Sequence, residues 1–372
     1  MSSVARMKAV LKMTSILYLA EIGYKNAGDQ VMWDVFRHHF NKNLEADRFH
    51  VVGSIADNAD PLAFDAVVLG GGSLIAPTYL AMLEKARKGN KPYYIWGSGV
   101  DKLIPKKGLD AMLGGSPLPA DLIAQGIQCD LFRDARFAAV RGPLSQAFLQ
   151  IAGVDAENIA VSGDPALLLT PEEAKPVSYE PPLLGDRPFI GINWGTAMNQ
   201  VFGNDEASVE DKLVTAAKEW IMQGYSILMF VMWPRDIPAS RRLMHKIGYK
   251  NRVRLFETVN PYELMSIIGQ CKFTVDFKLH AAVLSAVMRV PFIALGYRFK
   301  VFDFAASIDA IPYVISIDSP TLSHELLHLS NRIEENHTET VTSIDKQVIQ
   351  YQKMNMLAEP FFGRLQKEVG TN

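Results

Sequence analysis

Short apolar segments alternate with amphipathic segments along most of the chain. Nine of the apolar segments predict buried strands: 15–20, 65–70, 92–97, 137–141, 159–163, 188–193, 225–232, 272–276 and 290–295. Most of them are bounded by glycine, proline or aspartate and are followed by a segment with helical character. Buried strands that alternate with helices predict parallel sheets that are covered by helices on both faces.

The length of the chain predicts two domains. Its 372 residues are more than a single domain with one hydrophobic core usually contains, since a domain takes about 150 residues. The segment 170–188 is rich in proline and charge, which indicates a linker. We therefore predict an α/β protein with two Rossmann-like domains, over 10–175 and 186–320. The remaining segment, 321–372, is predicted to be helical, and its part over about 340–368 is expected to pack back onto either domain.

Composition narrows the class of protein. The chain is 48% hydrophobic and 21% charged with a net charge of −2, so it lacks the basic surplus of a nucleic-acid-binding protein. Its two cysteines, Cys129 and Cys271, are far apart, which argues against a disulfide framework or a cysteine-based zinc site. The absence of a window of about 18 uninterrupted apolar residues argues against a membrane-spanning helix. We predict a cytoplasmic protein, whose oligomeric state the sequence leaves open.

Polar and glycine-rich segments follow the predicted strands of the first domain, at the edge where parallel sheets bind ligands. The candidate residues in these segments are Asn26, Asp29, Gly70, Gly71, Gly72 and Arg141. The glycine run lacks the spacing of a dinucleotide site, so it indicates either a tight turn or a ligand contact. Asn26 and Asp29 either cap a helix or bind substrate. Arg141 either binds an anion or pairs with Asp134 or Asp164.

The stretch 276–304 places a histidine and three cations at the joints of two buried elements. Lys278 and His280 lie between a strand and a helix that is apolar on every side, and Lys300 lies at the start of the next helix. Helix N-termini favour anions, and histidine can transfer protons. We therefore predict an anion site in a cleft between the domains, completed by Arg141. Arg298 is interpreted as a solvent-exposed charge.

The sequence HELLH, His324 to His328, matches the zinc-protease pattern H-E-x-x-H. The apolar stripe of this predicted helix consists of Leu322, Leu326, Leu329 and Ile333. That stripe leaves both histidines on the opposite, solvated face, and no third histidine follows at the expected spacing. We predict no metal site and keep a zinc hydrolase only as a minor alternative.

Six segments in this order resemble the polysaccharide pyruvyl transferases: IGYKNAGDQ, VVLGGGSLI, YIWGSGVD, VRGPLSQAFL, VSGDPALLL and the stretch 276–304. The resemblance implies a fold like that of the GT-B glycosyltransferases, with two Rossmann-like domains facing a cleft. It also implies the activity, which is transfer of pyruvate as a ketal from phosphoenolpyruvate to a sugar of a cell-surface polysaccharide or its precursor. Phosphate is released, and no cofactor is implied.

The resemblance also implies roles for individual residues. The family's Ser-Arg-Leu-His motif falls on residues 277–280, where Lys278 replaces the arginine and lacks its bidentate fork. His280 is implied as the acid/base group, and Arg141 and Lys300 as donor-binding residues at the reaction centre. Lys278 and Leu279 are implied in donor binding.

The first domain is expected to form the acceptor wall, and the second domain the donor side. The residues expected on the acceptor wall are Asn26, Asp29, Gly70, Gly71 and Gly72. The acceptor is expected to be a sugar or oligosaccharide, free or lipid-linked; a lipid-linked acceptor would bring the protein to the inner membrane face. Two alternatives stay open, a GT-B nucleotide-sugar glycosyltransferase and a non-catalytic sugar-binding relative.

Overall fold

The first half of the chain forms a parallel sheet of six strands with helices on its faces. The computed structural model describes residues 13–43, 49–101, 104–116, 127–177 and 187–355. Within these residues, the strands of the first sheet are β1 (Thr14–Leu19), β2 (Phe49–Ser54), β3 (Ala66–Leu69), β4 (Tyr93–Ser98), β5 (Phe137–Val140) and β6 (Ala160–Val161). The helices are α1 (Ala27–Asn43), α2 (Pro77–Lys88), α3 (Lys106–Leu113), α4 (Asp130–Arg133) and α5 (Pro143–Ile151). The strand order is β2-β1-β3-β4-β5-β6.

A second six-stranded parallel sheet follows in the described residues of the other half. Its strands are β7 (Phe189–Asn193), β8 (Ser226–Phe230), β9 (Val253–Phe256), β10 (Cys271–Asp276), β11 (Phe292–Gly296) and β12 (Val314–Ser316). Its helices are α6 (Glu206–Met222), α7 (Ile237–Ile247), α8 (Pro261–Ile268), α9 (Leu279–Val287), α10 (Phe299–Ser307), α11 (Leu322–Glu335) and α12 (His337–Asn355). The order β12-β11-β10-β7-β8-β9 is the Rossmann arrangement. The predicted fold class is therefore confirmed.

Each of the nine predicted strands corresponds to an observed strand, and three further strands were not predicted. The missed strands, β2, β9 and β12, all lie at sheet edges. Many of their residues are only half-buried, so their sequences lack a continuous apolar run. All strands are parallel, but the order in which successive strands join the sheet changes direction between β1 and β3 in the first sheet, and between β7 and β10 in the second. Ligands of such sheets bind at these switch points.

Helix α9 is buried on all sides, as its sequence predicts. Its residues from Ala281 to Val287 are buried, and the helix packs between strands and other helices. The polar end of this apolar helix, with Lys278 and His280, is thereby held at the switch point of the second sheet.

Helix α12 returns to the first domain. A Cβ added at Gly163 would lie 2.6 Å from the ring of Tyr351, and Gln352 donates a hydrogen bond to the carbonyl of Leu169 at 3.0 Å. The same helix also contacts the second domain, where Arg289 Nε lies 2.5 Å from Asp345 Oδ1. Up to residue 355, the last helix thus contacts both domains. The predicted continuation, and residues 178–186 of the predicted linker, lie outside the described residues. No helix in the described part of the chain is long and apolar enough to cross a membrane.

Asp276 is a buried carboxyl at the end of β10, close to the start of α9. Its Oδ2 accepts hydrogen bonds from Thr274 Oγ1 at 2.7 Å and Ser285 Oγ at 3.0 Å, whereas Oδ1 has no hydrogen-bond partner. Burial raises the pKa of Asp276 to about 7, against the lowering effect of these two hydroxyls. The folded protein therefore keeps this carboxyl protonated in a pH range where the unfolded chain ionises it.

This raised pKa predicts a decline in stability as the pH rises. Between the pKa of the unfolded chain and about 7, the folded state binds the extra proton, so the free energy of unfolding falls by about 1.4 kcal/mol per pH unit. Asp276→Asn cannot ionise, and its stability relative to the wild type should improve from pH 5 to pH 8. Urea unfolding of both proteins across this range measures the difference, and parallel pH profiles would contradict the prediction.

Candidate functional site

The carboxyl ends of the strands in both sheets face one cleft of about 550 Å³ between the two domains. Its two walls differ in charge. Among the described lining residues, the cationic or potentially cationic groups of the second domain are Lys278, His280, Arg298 and Lys300. The charged lining residues of the first domain are Glu21, Asp29, Asp57, Asp101 and Arg141. The structure therefore brings the predicted anion-site residues together, opposite a mainly acidic wall.

The domains contact each other directly beside this cleft. The backbone N–H of Ala27 donates to the carbonyl of Met232 at 2.9 Å, and Trp233 Nε1 donates to the carbonyl of Tyr24 at 3.0 Å. Gly28, in the first turn of α1, lies against His280 of the other domain. A Cβ added at Gly28 would lie 2.0 Å from His280 Nδ1, so a side chain at this position would displace the histidine.

His280 is the second residue of α9 and faces a carboxylate of the first domain. Its Nε2 lies 3.6 Å from Asp164 Oδ2, and the two side chains are 12% and 0% exposed. Burial of Asp164 opposes ionisation, but His280, Arg141 and the N–H of Ala166 hold its pKa below its usual value. Asp164 is therefore ionised and places a buried negative charge beside the imidazole ring. The 3.6 Å separation is too long for a hydrogen bond, and neither His280 Nε2 nor Asp164 Oδ2 has a hydrogen-bond partner among the described residues.

The pairing of His280 with Asp164 could not be found from sequence. Asp164 follows β6, belongs to the other domain and precedes the histidine by more than a hundred residues. Sequence reasoning placed it only as a possible partner of Arg141. Asp164 also caps the short helical turn 165–168, because its Oδ1 accepts a hydrogen bond from Ala166 N at 3.0 Å.

Arg141 is fully buried and only partly hydrogen-bonded. Its Nη2 donates weakly to Ser73 Oγ at 3.4 Å, and its Nε lies 3.9 Å from Asp303 Oδ2. Neither Nε nor Nη1 has a hydrogen-bond partner among the described residues. Buried donors are normally satisfied, so a guanidinium that lines the cleft with two unsatisfied nitrogens is ready to bind an anion.

Asp303 of α10 anchors this arginine from the second domain. Its Oδ1 accepts a hydrogen bond from Ser145 N at 2.9 Å and its Oδ2 one from Ser145 Oγ at 2.6 Å. Burial raises the pKa of Asp303, although Arg141 and Ser145 oppose this effect. The ion-pair partner of Arg141 is thus Asp303, whereas the sequence suggested Asp134 or Asp164. Asp134 instead pairs with Arg87 and Arg133 at the surface.

Lys278 lines the cleft, but its ammonium group is already paired. Its Nζ lies 3.1 Å from Asp236 Oδ1 and donates to the carbonyl of Thr196 at 2.5 Å. Its backbone N–H donates to Asn193 Oδ1 at 2.8 Å. These contacts tie the start of α9 to the loops that follow β7 and β8.

Arg298 and Lys300 share one carboxylate of the first domain. Arg298 Nη2 forms a close ion pair with Asp101 Oδ2, and Lys300 Nζ lies 3.7 Å from the same oxygen. The backbone N–H of Lys300 also points to Asp101 Oδ1 at 3.4 Å. The interpretation of Arg298 as a solvent-exposed charge was wrong, because its side chain is 18% exposed and joins the two domains.

The predicted acceptor-side residues fall into two groups. Asn26 and Asp29 line the cleft, and Asn26 Oδ1 also caps α1 by accepting from Gly28 N at 3.0 Å. Burial raises the pKa of Asp29 to about 6, with His280 and Lys300 lowering it.

The glycine run combines a cleft contact with a tight turn. Gly72 lines the cleft with a φ of +121°, where other residues are strained. Gly70 and Gly71 are not among the described lining residues of the cleft, and added Cβ atoms would lie 2.1 Å from Tyr18 and 2.5 Å from Met32. Leu279 also lines the cleft and is otherwise buried.

The HELLH segment lies on α11, away from the cleft. Leu322, Leu326, Leu329 and Ile333 are buried, as predicted, and both His324 and His328 are exposed. Glu325 accepts hydrogen bonds from the hydroxyls of Ser319 and Thr321, both at 2.5 Å. Among the described residues, no group of three or more histidine, cysteine, aspartate or glutamate side chains is placed to hold a metal ion.

Two facing Rossmann-like domains with a cleft at their strand ends define the GT-B fold, and solved structures agree. The S. aureus protein MnaA with UDP is 12% identical, with a TM-score of 0.59 over 90% of this chain and 91% of its own. UDP-GlcNAc 2-epimerase from Neisseria meningitidis, bound to UDP-GlcNAc, is 11% identical, with a TM-score of 0.59 over 96% and 100%. A glycosyltransferase from Rickettsia africae is 12% identical, with a TM-score of 0.53 over 97% and 99%.

Sequence comparison identifies the family of the chain more narrowly than the fold does. The family model described as polysaccharide pyruvyl transferase matches residues 26–298. The chain belongs to this family. A search of curated protein sequences finds no match.

Proposed function

We propose that the protein transfers pyruvate, as a ketal, from phosphoenolpyruvate to a sugar and releases phosphate. The observation that carries this proposal is Arg141, a fully buried guanidinium at the cleft whose Nε and Nη1 lack hydrogen-bond partners among the described residues. Membership of the polysaccharide pyruvyl transferase family supports the same reaction.

Phosphoenolpyruvate suits the charges of the cleft because it carries a carboxylate and a phosphate. Arg141 and Lys300 would bind these two groups and stabilise the departing phosphate. The reacting carbon would then lie near His280, between the two domains.

The chemistry requires one proton donor and two sugar hydroxyls. His280, in its protonated form, would protonate the methylene carbon of the donor, which makes the neighbouring carbon electrophilic. One hydroxyl attacks that carbon, the carbon–oxygen bond to phosphate breaks, and the second hydroxyl attacks to close the ketal. Of the two hydroxyl protons, one replaces the proton that His280 gave to the methyl group, and the other leaves with phosphate. Asp164 would keep the imidazole oriented through both transfers.

The acidic wall of the first domain would hold the acceptor sugar. Carboxylates such as Asp29 and Glu21 accept hydrogen bonds from sugar hydroxyls. Asp29, with its pKa of about 6, is ionised at neutral pH and can orient the attacking hydroxyl. Tyr79, which donates a hydrogen bond to Glu21 at 2.9 Å, adds an aromatic surface to this wall.

The proposal also includes where the protein acts and what it requires. Phosphoenolpyruvate is available in the cytoplasm, and we place the reaction there. A lipid-linked acceptor would bring the protein to the inner face of the membrane. The reaction needs no cofactor beyond the donor substrate.

Donor-dependent thermal stabilisation tests the proposal. At 100 times its dissociation constant, phosphoenolpyruvate should raise the free energy of unfolding by about 2.7 kcal/mol, and Lys300→Ala should lose most of this effect. Phosphate release on addition of acceptor sugars is the follow-up assay. Stabilisation by UDP- or GDP-sugars but not by phosphoenolpyruvate would overturn the proposal in favour of a nucleotide-sugar glycosyltransferase.

A further inference from the structure

The start of α10 holds a pair of cations that share a single counter-charge. Arg298 and Lys300 are 18% and 20% exposed, line the cleft and both face Asp101 of the first domain. Among the described residues, Asp101 is the only carboxylate within ion-pair distance of either cation, and the more distant Asp29 also interacts with Lys300. The two cations therefore share one close partner, which leaves part of their hydrogen-bonding capacity unused. A partly buried charge of this kind attracts an anionic ligand more strongly than an exposed charge does.

Lys278 differs from this pair because its charge is already balanced. Its ammonium lies 3.1 Å from Oδ1 of Asp236, a fully buried carboxylate. Oδ2 of Asp236 has no hydrogen-bond partner among the described residues, so this carboxylate depends on the lysine for compensation. If Lys278 moved to a ligand, Asp236 would be left as a buried and unpaired charge, which is strongly unfavourable.

Arg298 can keep its contact with Asp101 while it binds a ligand. The observed ion pair uses Nη2, and a guanidinium carries five N–H donors in all. Lys300 Nζ lies 3.7 Å from Asp101, which is beyond hydrogen-bonding distance, so its donors remain available on the cleft side. Binding an anion here therefore leaves the ion pair with Asp101 intact.

We propose that Arg298 and Lys300 form the phosphate subsite of the donor, and that Lys278 positions the start of α9 without contacting the donor. The identity of the donor rests on the proposed function. A phosphate group carries more negative charge than a carboxylate and matches a site with two cations, whereas Arg141 alone matches the single charge of the carboxylate. The N-terminus of α10, where the N–H of Lys300 points into this cluster, adds to the attraction.

This assignment revises two expectations from sequence. Lys278 was expected to bind the donor because it lies at a strand end beside His280, but sequence could not show that Asp236 neutralises it. Arg298 was interpreted as solvated, since nothing in the sequence indicates that Asp101, from the other domain, draws it into the cleft.

Thermal unfolding with two ligands, phosphoenolpyruvate and inorganic phosphate, tests the proposal. Both ligands should stabilise the wild type, and Arg298→Met should bind each of them about 10- to 100-fold more weakly. The affinity of Arg298→Lys for each ligand should lie between those of the wild type and Arg298→Met, because lysine keeps the charge but lacks the bidentate guanidinium. Lys278→Met is the matched control. Its melting temperature without ligand should fall, because Asp236 loses its partner, while its affinity for both ligands should stay within a few-fold of the wild type.

The outcomes separate this proposal from the proposed function. Unchanged affinities in Arg298→Met, or affinities lost in Lys278→Met, would overturn the phosphate subsite even if phosphoenolpyruvate stabilises the wild type. Phosphate binding that depends on Arg298, without any preference for phosphoenolpyruvate, would support the subsite and overturn the donor. If Lys278→Met does not fold, combining it with Asp236→Asn removes both charges of the pair and provides the same control.

Discussion

His280→Ala should lower turnover by roughly 10²- to 10⁴-fold, the usual contribution of a positioned acid/base group. In the proposed mechanism, His280 is the side chain that protonates the methylene carbon of the donor, and the carboxylate of Asp164 lies 3.6 Å from its Nε2. Affinity for phosphoenolpyruvate should change little, because Arg141, Arg298 and Lys300 supply the charges that bind it. The rate of phosphate release at saturating donor and acceptor measures the effect, and donor-induced stabilisation measures the retained binding.

His324→Ala is the control for this substitution. His324 lies on the exposed face of α11, outside the cleft, so the same change of side chain should leave turnover and stability unaltered. A His280→Ala protein that folds, binds donor and retains more than about a tenth of wild-type turnover would contradict the acid/base role.

Much of the fold was accessible from sequence because its central strands are buried on both faces. Continuous apolar runs such as 225–232 predicted strands that the structure confirms, and the apolar sequence of α9 predicted its burial. The edge strands β2, β9 and β12 were not predicted, because a strand that is partly exposed to solvent does not need a continuous run of apolar residues. Edge strands also depend on a single neighbour for their position, which no local pattern reveals.

The location of the candidate site was predictable, but its pairings were not. The switch-point rule led from strand ends to Arg141, His280 and Lys300, and the structure brings these residues to one cleft. The charge that each cation retains depends on carboxylates that arrive from other elements. Asp236 neutralises Lys278, whereas Asp101 is shared by two cations. Such contacts join segments that are far apart in the sequence. The hydrophobic periodicity and the spacing of motifs therefore do not predict them.

Arg141→Lys should weaken donor binding by about 10- to 100-fold, even though the charge is retained. The guanidinium is fully buried and lines the cleft, and its Nε and Nη1 have no hydrogen-bond partner among the described residues, so we assign it to the donor's carboxylate. A lysine ammonium is a shorter point charge, and it would be drawn to Asp303, which Arg141 approaches at 3.9 Å. The dissociation constant for phosphoenolpyruvate, from calorimetry or thermal shift, measures the loss.

Arg241→Lys is the matched control, because Arg241 makes a bidentate pair with Glu257 at 2.6 and 2.7 Å on an exposed surface. Its substitution should leave donor binding unchanged.

If Arg141→Lys instead binds phosphoenolpyruvate as tightly as the wild type, the unsatisfied nitrogens of Arg141 do not bind the donor. In that case a weaker response to inorganic phosphate in Arg298→Met would still identify the subsite at α10, because the two cationic groups lie on different domains and can be tested separately. Loss of phosphoenolpyruvate binding in Arg141→Lys, with phosphate binding retained, would assign the carboxylate to the first domain and the phosphate to the second.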